Sequence, residues 1–97
     1  MILNNVYPGN VYITNAELKA NTSRRDHLYI YGKVIRNQGG YVEASGSTFS
    51  SSLSDYYQYG LYNESKTVDN VVHRGSMKFT NSDIKQIAGS GTLIFLN

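Results

Sequence analysis

Apolar and polar residues alternate with period two in several short runs, a pattern that predicts strands. Val11-Tyr12-Ile13 is the first run, following the turn residues Pro8-Gly9-Asn10. The clearest extends from Arg25 to Val34, with Leu28, Ile30, Gly32 and Val34 on one face. Asn37-Gln38-Gly39-Gly40 then predicts a tight turn and Tyr41 to Ala44 a further strand, so these two runs form a candidate hairpin. Ser45 to Ser54 contains six Ser and reads as a loop, with Phe49 and Leu53 as its anchors. Tyr56 to Tyr62, Val71-Val72, Met77 to Phe79 and Thr92 to Leu96 complete the strand-like runs. Two short helices are also predicted. Thr14 or Asn15 can cap Ala16 to Ala20, and Asn81 or Ser82 can cap Asp83 to Ala88, with Gly89 as the stop.

Superimposed on this pattern is an internal repeat. Residues 9–19, from Gly9-Asn10-Val11-Tyr12-Ile13-Thr14-Asn15 to Lys19, align without gaps with residues 75–85, from Gly75-Ser76-Met77-Lys78-Phe79-Thr80-Asn81 to Lys85. Gly91 to Asn97 fits the same succession of Gly, alternating apolar residues and Asn. Looser copies end at Asn37 and Asn63, so the terminal asparagines fall at 15, 37, 63, 81 and 97. One strand with inward apolar residues, then a sharp turn at Asn, is what a coil of a β-solenoid needs, because Asn tolerates left-handed backbone angles. Spacings near 20 residues are in the range of repeat architectures. In Val11-Tyr12-Ile13-Thr14-Asn15 and in Met77 to Ile84 the chain resembles β-helical surface and fibre proteins, such as autotransporter passengers and phage tail spikes. That resemblance implies a stacked, non-catalytic structural or adhesive module.

Composition agrees with a small β-protein. The 97 residues suffice for one domain, taken as 1–97, with one modest core. Asn, Ser, Gly and Thr favour turns and strands over helices, and they supply more than a third of the chain. Nine Tyr stand against three Phe and no Trp, which suits half-wet sheet surfaces. A net charge of +2 is too small to argue for nucleic acid by itself. With no cysteine, the fold must be held by packing, repetition or oligomerisation. Met1-Ile2-Leu3 leads directly into Asn4-Asn5, so no signal peptide is expected, and no run approaches the roughly 20 apolar residues of a membrane helix. The compartment stays open.

The chemistry-bearing residues are few. His27 and His73 are the only histidines and lack a metal-ligand spacing. Ser50-Ser51-Ser52 has no Gly-x-Ser-x-Gly elbow. Gly39-Gly40 and Gly89-Ser90-Gly91 lack the Lys and helix of a phosphate loop. No catalysis, metal or cofactor is expected.

A binding surface is the sharper expectation. As a strand, residues 25–33 place Arg25, His27, Tyr29, Tyr31 and Lys33 in one row opposite the apolar face. Cations interleaved with aromatics suit a polyanion or single-stranded nucleic acid, and Tyr rows with Asn and Ser also suit sugars or a protein surface. Tyr56, Tyr57, Tyr59 and Tyr62 form a second candidate surface.

Taken together, the sequence predicts a mainly β protein with at most one or two short helices. Its architecture is either a compact antiparallel sheet, sandwich or barrel, or a short β-solenoid. The expected function is a non-catalytic binding or structural module of the phage-fibre or bacterial-surface type, acting on a protein partner or through self-association. The alternative is a small intracellular protein of a phage or mobile element that occludes a host protein or nucleic-acid site.

Overall fold

The computed structural model describes residues 2–21, 34–53, 59–89 and 92–96. Among them are twelve strands and no helix: β1 (Leu3–Val6), β2 (Asn10–Thr14), β3 (Glu17–Asn21), β4 (Ile35–Gln38), β5 (Tyr41–Ser45), β6 (Thr48–Leu53), β7 (Tyr59–Glu64), β8 (Lys66–Val68), β9 (Val71–His73), β10 (Ser76–Thr80), β11 (Asp83–Gly89) and β12 (Thr92–Leu96). Ten of these strands form three sheets, with orders β1-β4-β7-β12, β2-β5-β10 and β3-β6-β11. Every pairing within the three sheets is parallel. The antiparallel alternative is therefore corrected. The chain visits first, second and third sheet in turn, so each strand pairs with one from the layer before or after it.

Register makes the repeat explicit. Asn10 pairs with Tyr41, 31 positions on, and Tyr41 pairs with Ser76, 35 further. Residues 9–19 and 75–85 thus flank a middle copy, residues 40–50, whose Val42, Ala44 and Phe49 face the core beside Val11, Ile13 and Leu18. The expected loop from Ser45 to Ser54 is accordingly no loop over its described part, Ser45 to Leu53. Most of it is β6, and Phe49 is 1% exposed. The middle layer is sealed from both sides, whereas Val11, Ile13, Leu18, Met77, Phe79 and Ile84 are only half-buried against it.

Both predicted helices are strands instead. In β3, exposed Glu17 and Lys19 alternate with half-buried Leu18 and buried Ala20, a period of two that a helix cannot satisfy. Asn15 and Asn81 do not cap helices either. They adopt left-handed backbone (φ 51° and 47°) level with Gly46 (φ 59°), and turn the chain from the second sheet to the third. Serines stitch this corner together. Ser47 Oγ accepts from Ala16 N at 3.1 Å and donates to Ser45 O at 2.9 Å, while Ser47 N donates to Ser82 Oγ at 3.2 Å.

The corner between first and second sheets is built from asparagine. Asn5, Asn37 and Asn63 are in register and buried, Asn37 completely. Asn5 Nδ2 donates to Asn37 Oδ1, and Asn37 Nδ2 to Asn63 Oδ1, both at 2.9 Å. Each amide also donates to a carbonyl just ahead in its own layer: Gly9 O, Gly40 O and Gly75 O. A Cβ at Gly9, Gly40 or Gly75 would collide with an Asn side chain, so glycine follows each asparagine around the bend. The expected hairpin through Asn37 to Gly40 is corrected on this ground. β4 and β5 belong to different parallel sheets, and Asn37-Gln38-Gly39-Gly40 is the corner between them.

The third layer carries an insertion. β8 and β9 pair antiparallel through Asp69 and Asn70, both at positive φ (50° and 63°), as a two-residue type I′ turn requires. The base of this hairpin covers Gly39 (φ 71°), where a Cβ would lie 2.9 Å from Lys66 Cβ and 3.0 Å from His73 O.

A buried donor or acceptor left without its partner costs about 1–3 kcal/mol. Asn37→Ala removes both ladder bonds at once, the one it accepts from Asn5 Nδ2 and the one it donates to Asn63 Oδ1, together with its donations to Gly40 O and Ser76 O, whereas Asn5 makes only one ladder bond. The expected loss is roughly 3 kcal/mol or more, measured as a lower urea midpoint. Asn5→Ala, at the end of the ladder, is expected to cost less. Equal losses at the two positions would contradict a ladder centred on Asn37.

Candidate binding site

The second sheet presents straight rows of outward side chains, because its three strands run in register. Asn10, Tyr41 and Ser76 form the row at the strand starts; Tyr12, Glu43 and Lys78 form the next. Neighbouring members stand about 4.8 Å apart along the stack. Tyr41 is held in place from two directions. Its hydroxyl donates to Glu43 Oε1 at 2.6 Å, and its ring meets the edge of Tyr12 with centroids 6.1 Å apart. The bond to Glu43 raises the Tyr41 pKa above the ordinary tyrosine value; partial burial and the negative charge of Glu43 raise it further.

The inserted hairpin closes one end of this face. It brings His73 over the corner residue Tyr7, and the two rings stack with centroids 3.6 Å apart and planes 15° from parallel. Between the hairpin and the sheet lies an open cleft of about 390 Å³, lined by Tyr7, Asn10, Tyr41, His73, Arg74 and Ser76 and floored by Gly39 and Gly40. Arg74 is exposed and makes no salt bridge among the described residues. Val72, 63% exposed, forms part of the rim. Two aromatic walls, an amide, a hydroxyl and a guanidinium can together grip a ring-shaped polar ligand. Among the described residues no group of three or more His, Asp or Glu is placed to hold a metal ion.

The expected row of Arg25, His27, Tyr29, Tyr31 and Lys33 lies outside the described residues, as do Tyr56 and Tyr57. Tyr59 is in β7, two positions before Leu61, and its side chain is not described. Tyr62 does not reach the cleft. It sits half-buried on the outer face of the first sheet, 5.8 Å beneath the Arg36 guanidinium, and Arg36 pairs with Glu64 at 2.9 Å. No local sequence pattern brings the cleft residues together, because they come from the first-layer corner, all three strands of one sheet and the hairpin. One local signal was available: Asp69-Asn70 between Val68 and Val71 has the form of a hairpin turn.

No protein-family model, curated protein or solved structure matches this chain.

The Tyr41–Glu43 bond has a definite pH signature. Because the folded-state pKa is raised, the bond contributes stability below the ordinary tyrosine range, and that contribution is lost as pH rises through the folded value. In an NMR titration of tyrosine Cζ resonances, Tyr41 should ionise above the ordinary tyrosine value, and Glu43→Gln should bring it back down. A Tyr41 resonance indifferent to Glu43→Gln would contradict the arrangement.

Proposed function

We propose that the chain is a short β-solenoid that serves as a non-catalytic binding or structural module, of the kind built into phage fibres and bacterial surface proteins. The observation that carries this reading is the cyclic order of the strands. Three parallel sheets are visited in succession, in matching register from layer to layer. Such a stack fills its interior with its own side chains and offers only its outer rows and its two ends to other molecules. The ends favour association. Among the described residues the outermost strands have an unpaired edge within their sheets, and Leu3, Val11, Ile13, Leu18, Met77, Phe79 and Ile84 are only half-buried beside the middle layer. Strand edges of this kind pair with further strands unless they are blocked. Self-association or a protein partner is therefore the first expectation, with glycan or nucleic acid on the outer rows as the second.

Absolute mass in solution tests this, by size-exclusion chromatography with light scattering over a range of concentrations. An assembly of three or more copies is expected of a fibre-type module. A monomer at every concentration would sink the fibre reading and leave the compact binder that occludes a host protein or nucleic-acid site.

A further inference from the structure

We propose that the cleft between the β8–β9 hairpin and the second sheet is a binding site for an acidic saccharide, a sugar ring bearing a carboxylate. This rests on the binding-module reading but not on self-association, since the cleft is complete within one chain. A sugar ring asks three things of a protein: an aromatic plate for its C–H face, donors and acceptors for its hydroxyls, and, when it is acidic, a cation. All three converge here. The Tyr41 ring is pre-oriented by its hydroxyl bond to Glu43 and by the edge of Tyr12, so little side-chain freedom remains to be lost on binding. The stacked Tyr7–His73 pair supplies a second aromatic wall.

Asn10 and Ser76 flank Tyr41 in its own row, one on each side. An amide that both donates and accepts, and a hydroxyl that does the same, can meet hydroxyls at either edge of a ring lying over Tyr41. Arg74 lines the cleft without a carboxylate partner among the described residues. Its planar fork matches a carboxylate through two parallel hydrogen bonds. A volume of about 390 Å³ lies at the small end of ligand sites and accommodates one or two sugar rings. Nucleic acid is the poorer fit, because tracking a phosphate backbone takes several cations in a row. Among the described residues, Arg74 is the only Lys or Arg that lines this cleft.

The test is a titration of the ¹⁵N-labelled full chain with di-galacturonate, followed by amide chemical shifts, with neutral galactobiose and a thymidine dinucleotide as comparisons. Di-galacturonate is expected to bind in the millimolar range, shifting the amides of Asn10, Tyr41, Arg74 and Ser76. Galactobiose should bind at least tenfold more weakly. Arg74→Ala, an exposed change, should abolish the advantage of the acid, and Tyr41→Phe should keep the aromatic plate and retain binding more fully than Tyr41→Ala. No shifts at these positions with di-galacturonate would overturn the proposal, as would acid binding unaffected by Arg74→Ala or a dinucleotide bound as well as the acid. The light-scattering mass separates this outcome from the broader reading. A chain that assembles but ignores the saccharide loses the site and keeps the structural role.

Discussion

The structure depends on one chain of side-chain amides, Asn5 to Asn37 to Asn63. An asparagine in a dry corner is costly unless both its carbonyl and its NH₂ are engaged. Here Asn37 accepts from one layer, donates to the next and also bonds the carbonyl of Gly40. The ladder is therefore directional, and it fixes register. Sliding one strand of the first sheet by a single residue would turn its asparagine outward and bring a neighbour of different shape or charge, such as Val6, Gln38 or Glu64, into the corner. The fourth strand of that sheet, β12, pairs Leu96 with Asn63, so by register the ladder ends there.

Much of the remaining architecture follows from that corner. The glycines after each asparagine exist because the amide occupies the space a Cβ would need. Once the first-to-second-sheet corner is fixed, the second and third sheets pair in the same layer order, and the Asn15, Gly46 and Asn81 bend needs only left-handed backbone and a serine stitch. Apolar contacts then fill the interior, with Ile35, Val42, Phe49 and Leu61 almost wholly buried in or beside the middle layer. The hairpin is tolerated because it enters at a corner, after β7 and before β10, where extra residues leave the pairing of β10 with β5 intact. Chemistry is thereby pushed to the outside, where rows of side chains from different layers meet the hairpin.

How much of this was legible in the sequence depends on which residues carried the signal. The repeat of 9–19 in 75–85 was visible because Gly, Thr, Asn and Lys recur at the same offsets, and it corresponds to the layers on either side of β5 and β6. The middle copy was not visible. It replaces Asn by Gly46, Glu by Thr48 and Lys by Ser50, and its serines imitate a loop. The asparagines at 15, 37, 63, 81 and 97 look like one series in the sequence, but Asn37 and Asn63 belong to the ladder while Asn15 and Asn81 are left-handed bends at another corner. The helices were suggested by capping residues whose backbone needs a turn can meet equally well. No sequence signal distinguishes parallel from antiparallel pairing for runs this short, since both alternate with period two. The cleft lay beyond local patterns because it draws on three layers at once.

The most direct test of the parallel, amide-laddered stack is a set of interstrand nuclear Overhauser contacts around Val42 and the Asn37 side chain. The account predicts contacts from the β5 backbone to both the Val11 and the Met77 strands in parallel register, together with slowly exchanging Asn37 amide protons close to Asn63. Contacts pairing residues 35–38 antiparallel with 41–45, across Gly39-Gly40, would contradict it.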